Sequence, residues 1–184
     1  MKARWITISA VAVLMAAALL TTGIAGAADP GIVWDGRDAP EYLRLDIRRA
    51  TSRVFNQTQT ASGPGLFRVS TYEPFGRRAL EGEDGLTFSV KYDNTTPGPE
   101  LRFEVGREDG RYVWRAWGGG TNVPIAEGRA FRTSDTMIAF KYPRGLIRVD
   151  RFRWKAVYTR WNPTELSGMD RAPDVRWAVQ TGSE

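Results

Sequence analysis

The chain contains neither cysteine nor histidine. Without cysteine no disulfide can staple the fold, so a hydrophobic core must hold it even in an oxidising compartment. Without histidine, Ser-His-Asp and Cys-His catalysis, histidine-ligated haem and nearly all ordinary zinc and copper sites are excluded. Clustered positive charge is also missing. Of the 26 cations 22 are arginine, and they are scattered along the chain, so no nucleic-acid partner is expected. Helical periodicity is scarce as well. The nearest competitor is residues 41–55, where Leu43, Ile47 and Ala50 fit helical spacing; strand is the preferred reading there.

What is present begins with an address. Lys2 and Arg4 lead into an uncharged stretch over residues 5–28, and Ala25-Gly26-Ala27 places small residues before a cleavage point. Residues 1–27 therefore read as a secretory signal peptide, with an uncleaved membrane anchor as the alternative. Either way residues 28–184 are expected outside the cytoplasm, secreted or at the cell surface, with no membrane span left after cleavage. With Lys2 and Arg4 removed, 24 cations face 21 acids, and the net charge falls to about +3. The remainder is the size of one domain: a polar segment over 28–40, then a β-domain over 41–184.

Beyond residue 40 the dominant pattern has period two. Leu43, Leu45 and Ile47 alternate with Arg44, Asp46 and Arg48; Leu86, Phe88, Val90 and Tyr92 alternate with Thr87, Ser89 and Lys91. Leu101–Phe103–Val105, Ile138–Phe140–Tyr142 and Val175–Trp177–Val179 repeat it. Each set reads as a half-buried strand. Turn signals fall between them, among them Gly63-Pro64-Gly65, Gly118-Gly119-Gly120 and Asn162-Pro163. Strands at this spacing predict an all-β fold, a single antiparallel β-sandwich of jelly-roll or immunoglobulin-like two-sheet form.

The stretch "RFRWKAVYTRW" (residues 151–161) separates cleanly under that rule. Phe152, Trp154, Ala156 and Tyr158 share one face, which suits a core; Arg151, Arg153, Lys155 and Trp161 share the other. "RYVWRAW" divides likewise, with Tyr112, Trp114 and Ala116 against Arg115 and Trp117. Trp117 and Trp161 are thus large rings on basic outward faces beside turns, and Trp34 in "GIVWDGRDAP" is a third. Such rings can stack on a sugar, with Arg115, Arg153 and Arg160 donating to its hydroxyls; they can equally cover a sheet end or enter a protein interface.

With histidine absent, a hydrolase would need a carboxylate pair. The Glu-x-Asp-x-x-Glu spacing that aligns acids on one strand face does not occur. A structural calcium ion, with oxygen ligands from loops, is a more natural use for Asp35 and Asp38 in "WDGRD" and for Asp93 with Asn94, joined by Asp170 or Asp174. Asx turns are the plain alternative. No cofactor is otherwise required.

The order of elements, from "LRLDI" through "GLTFSVKYDNTTPGPELRFEV" and "MIAFKYPRGLI" to "APDVRW", resembles the DOMON-like and family-9 carbohydrate-binding-module-like β-sandwiches. The resemblance implies a secreted, non-catalytic module that binds a polysaccharide or cell-envelope glycan between tryptophan rings, a role matched here by Trp117 and Trp161. The haem-binding branch does not fit a chain without histidine. An extracellular structural or protein-interaction domain is the alternative, and a carboxylate-dependent glycoside hydrolase or lyase a further one.

Overall fold

The computed structural model of the chain describes residues 31–181 apart from 40–42, 55–63, 83, 94, 96, 148, 150, 163–164 and 175. The signal-like residues 1–27 and the candidate donor Asn94 lie outside the described residues. Eleven strands follow in chain order: β1 (Ile32–Trp34), β2 (Ile47–Val54), β3 (Gly65–Thr71), β4 (Gly85–Lys91), β5 (Leu101–Glu108) and β6 (Arg111–Gly118). Then come β7 (Ala126–Ser134), β8 (Met137–Tyr142), β9 (Arg151–Asn162), β10 (Glu165–Ala172) and β11 (Ala178–Thr181). The helical elements among the described residues are two single 3₁₀ turns, and none is long and apolar enough to cross a membrane.

The all-β, antiparallel character predicted from alternation is present. Two separate sheets are not. The ladder runs unbroken through β1-β2-β3-β8-β7-β6-β5-β4-β9-β10, with β11 beside β10 on the other half of β9. The reason lies in β7. Its first residues, Ala126 to Arg129, pair with β6, while residues from Ala130 onward pair with β8. One long strand therefore serves both halves, and the sheet folds over on itself so that its two ends approach.

The core fills the fold. Inward residues of β4, β5, β6 and β9 (Leu86, Phe88, Val90, Phe103, Trp114, Trp154, Tyr158) meet those of β3 and β8 (Phe67, Val69, Phe140, Tyr142), all buried. Phe67 is its hub: its ring lies 4.6 Å from Phe88, 5.1 Å from Tyr142 and 5.4 Å from Phe103 between centroids. Each such ring pair adds roughly 0.5–1.5 kcal/mol to the burial of its area. Backbone must thin out where the rings crowd. Gly128 passes directly beneath the Trp114 indole, and Gly65 beneath the Tyr142 phenol, where a Cβ would sit 2.9 Å and 2.0 Å from ring atoms.

Several strands begin elsewhere than alternation predicts. Leu45 is buried as expected, but the β2 ladder starts only at Ile47 and is bulged before Arg49. The alternation over 175–179 becomes β11 only from Ala178. The polar segment set apart as 28–40 supplies β1. Strands β1, β7 and β10 carry no clear alternation, and their neighbours in the sheet make them strands.

Gly65→Ala should lower stability by about 1–3 kcal/mol, the usual cost of overpacking a rigid buried ring. Gly36→Ala, where nothing lies within 4 Å of the added Cβ, should leave the urea midpoint within error.

Candidate functional site

Two places in this fold gather polar chemistry: the seam where the sheet ends approach, and the outer face of the β9-β4-β5-β6 half.

At the seam, the segment between β1 and β2, the end of β10 and the loop after it bring five aspartates together. One carboxylate oxygen each from Asp35, Asp38 and Asp174 lie within 4.8 Å of one another, and the same holds for Asp38, Asp46 and Asp170. Asp35 is held by its backbone. Its N–H donates to the Arg48 carbonyl at 3.0 Å, and its own carbonyl accepts the Tyr72 hydroxyl at 2.7 Å. This anchoring turns the side chain inward, 8% exposed, where Oδ2 meets no hydrogen-bond donor. Asp170 is also buried but satisfied: Oδ2 accepts the Ile47 N–H at 2.5 Å and Oδ1 the Arg171 N–H at 2.9 Å. Asp46 lies 4.0 Å from Arg37, which is itself bound to Glu73 at 2.5 Å.

Burial and the nearby Asp174, Asp170 and Asp38 push the Asp35 carboxyl up to about 8. Burial lifts Asp170 to about 6 against the pull of its two backbone donors. Asp46 is raised by burial in spite of Arg37. Carboxylates crowded this closely must be relieved by protons or by a cation.

Of the predicted metal donors, Asp35 and Asp38 do meet, and Asp170 and Asp174 join them. Asp93 instead accepts the Thr95 N–H at 2.8 Å, an Asx turn. Sequence reading missed Asp46 because alternation cast it as an ordinary outward residue. Asp170 is brought beside it by the Ile47–Asp170 bond, which spans 123 positions.

On the outer face, ladder register aligns side chains in rows. One row runs from Thr159 through Gly85 on β4, then to Gly106 and Val113. The next runs Val157, Thr87, Glu104, Arg115 and Glu127. Two adjacent glycines in mid-sheet leave an open depression of about 530 Å³, walled by Thr87, Glu104, Glu108, Arg115 and Thr159. Neither glycine is demanded by packing: a Cβ would come no closer than 4.0 Å to Thr159 at Gly85, or 3.8 Å to the Leu80 carbonyl at Gly106. Each acid on the wall has its cation. Glu104 pairs with Arg102 at 2.9 Å, Arg115 binds Glu108 through both guanidinium nitrogens, and the buried Asp84 pairs with Arg44 at 3.2 Å.

The predicted ligand residues are dispersed by this register. Arg115 lines the depression. Trp117, opposite Arg102, is half-buried, with its indole N–H lacking an acceptor. Trp161 lies at the far end of β9, and its side chain is outside the described residues. Row and strand spacings put the two backbones roughly 20–25 Å apart, farther than a single sugar ring spans. Arg153 sits outward between Lys91 and Val179, and Arg160 pairs across to Gly168 on β10. Trp34 is 62% exposed, with the Arg49 and Arg48 guanidinium groups 5.0 and 5.8 Å from its ring centroid. No family model matches the chain, and neither a curated protein nor a solved structure matches it.

A carboxyl held above its unfolded value near 3.8 takes up a proton on folding. The stability Asp35 contributes is therefore complete at low pH and is lost as pH rises toward about 8; Asp170 adds the same trend, ending near 6. In chelator, the urea midpoint should fall between pH 5 and pH 9, and Asp35→Asn should flatten that slope. A midpoint that rose across this range would show that the cluster is not proton-relieved.

Proposed function

We propose that this domain is an extracytoplasmic recognition module for a neutral saccharide, bound in the glycine-floored depression on its outer face. We read the curled sheet as a sandwich flattened into two facing halves, with the ligand on the outside of one. The single observation that carries this reading is the adjacent pair Gly85 and Gly106, which opens a cavity where a strand would ordinarily place two side chains.

The lining favours a neutral, hydroxyl-rich ligand. Its acids are matched by Arg44, Arg102 and Arg115, so neither an anion nor a cation gains from entering. Arginine–carboxylate pairs offer donors and acceptors side by side, which suits vicinal hydroxyls, and Val113 supplies an apolar wall. A carboxylate-pair hydrolase draws less support. The acids lining the depression, Asp84, Glu104 and Glu108, are each paired with an arginine.

A second reading, a protein-interaction domain, is favoured by one observation. Val123 and Ile125, both exposed, lie at the β6–β7 connection beside Trp117. Self-association seen by light scattering and lost on Ile125→Asp would support it.

The test of the first reading is a binding screen of the purified protein against soluble and insoluble polysaccharides, repeated with Gly106→Val. The variant projects an isopropyl group into the floor of the depression and should leave stability unchanged or raise it by up to about 1 kcal/mol, since glycine weakens a strand. Binding should fall at least tenfold. Binding that survives Gly106→Val would move the site elsewhere, and failure across the panel would remove the reading.

A further inference from the structure

The aspartate cluster at the seam is independent of the outer-face depression and calls for its own explanation. Calcium–oxygen bonds of about 2.3–2.6 Å allow two ligands of one ion to stand no more than about 5 Å apart. The oxygens of Asp35, Asp38 and Asp174, within 4.8 Å of one another, meet that condition. A group of acids alone would mean little. Here, however, Asp35 is more than nine-tenths buried, directed at Asp38 and Asp174, and its Oδ2 has no donor. The neighbouring cations do not relieve it. Arg37 stands 4.0 Å from Asp46 and is committed to Glu73, and the Arg171 Nε lies 2.7 Å from the Met169 sulfur.

We propose that Asp35, Asp38 and Asp174 ligate a calcium ion that latches the two ends of the curled sheet together. The ligands come from opposite ends of the strand order. Asp35 and Asp38 follow β1, at one end, while Asp174 follows β10, at the other. Among the described residues no backbone ladder joins these ends. The bond from the Ile47 N–H to Asp170 already ties them at one point, and an ion beside it adds a second tie. Asp170, with both oxygens accepting backbone N–H groups, fixes the loop that carries Asp174. Asp46 places further negative charge beside Asp38.

The donor chemistry selects the metal. All three ligands are carboxylates, and no nitrogen or sulfur ligand of the kind zinc prefers is present, since the chain lacks histidine and cysteine. Three carboxylates from two segments supply three to six oxygens in irregular array, which calcium accepts and magnesium, with its near-ideal octahedron, resists. The recess of about 240 Å³ bounded by Asp38, Asp170, Asp174 and Arg171 leaves room for water to complete the shell.

The experiment is calorimetric titration of chelator-stripped protein with calcium and with magnesium, alongside limited trypsin digestion. Calcium should bind saturably, and it should slow cleavage after Arg37 at least tenfold, because the cut lies between two ligands. Asp38→Asn and Asp174→Asn should each weaken binding tenfold or more while leaving the protein folded, since both side chains are exposed. Asp35→Asn should do the same; if that buried variant fails to fold, the two exposed positions decide the matter. No saturable binding up to ~10 mM calcium, above the range of the weakest extracellular sites, would overturn the proposal. Wild-type affinity in Asp38→Asn and Asp174→Asn would overturn it equally. The saccharide reading stands or falls separately, on Gly106→Val.

Discussion

The structure turns on how a long antiparallel sheet disposes of its two ends. A sheet of this many strands twists and curls, and its edge strands leave rows of unpaired N–H and C=O groups. Among the described residues the ends are drawn toward each other without a ladder between them. One contact that joins them is a side-chain substitute for a ladder bond, the Ile47 N–H donating to the Asp170 carboxylate at 2.5 Å. It requires a buried aspartate on β10 and a bulge at the start of β2, and both are present. A charge brought into the interior in this way has to be balanced, and the acids around it add to that demand, which protons or a cation must meet.

The core answers the same curl from inside. Folding the sheet over brings Phe67, Phe140 and Tyr142 against Phe88, Phe103, Trp114 and Trp154. Rings of this size leave no clearance for a Cβ on the strand beneath, so Gly65 and Gly128 are packing glycines. Gly85 and Gly106 are of the other kind. They face outward over open space, and their effect is to lower the sheet surface between Thr159 and Val113. One residue type thus serves opposite ends on the two faces: inside it admits a ring, and outside it leaves an open depression.

The face assignments were legible because strand geometry has period two and is local. Phe152, Trp154, Ala156 and Tyr158 are buried as alternation requires, and Arg153 and Arg115 point outward. Trp117 also fell on the outer face, yet its distance from Trp161 was not legible, because it depends on the register of three intervening ladders. Asp35, Asp38, Asp170 and Asp174 could be picked out as donors by type and loop setting. Asp93 looked equally good, and only its own Asx turn set it apart.

Composition and alternation by themselves determined that this protein is all-β, that it can form no disulfide and use no histidine, and which side chains form its core. These are properties of residue type and of a repeat two residues long. Tertiary structure alone decided that the strands form one folded-over sheet, that Gly85 lies beside Gly106, and that Asp35 meets Asp174. Each of those outcomes depends on pairings between residues far apart in the chain, and register of that kind is set by the packing of the whole sheet.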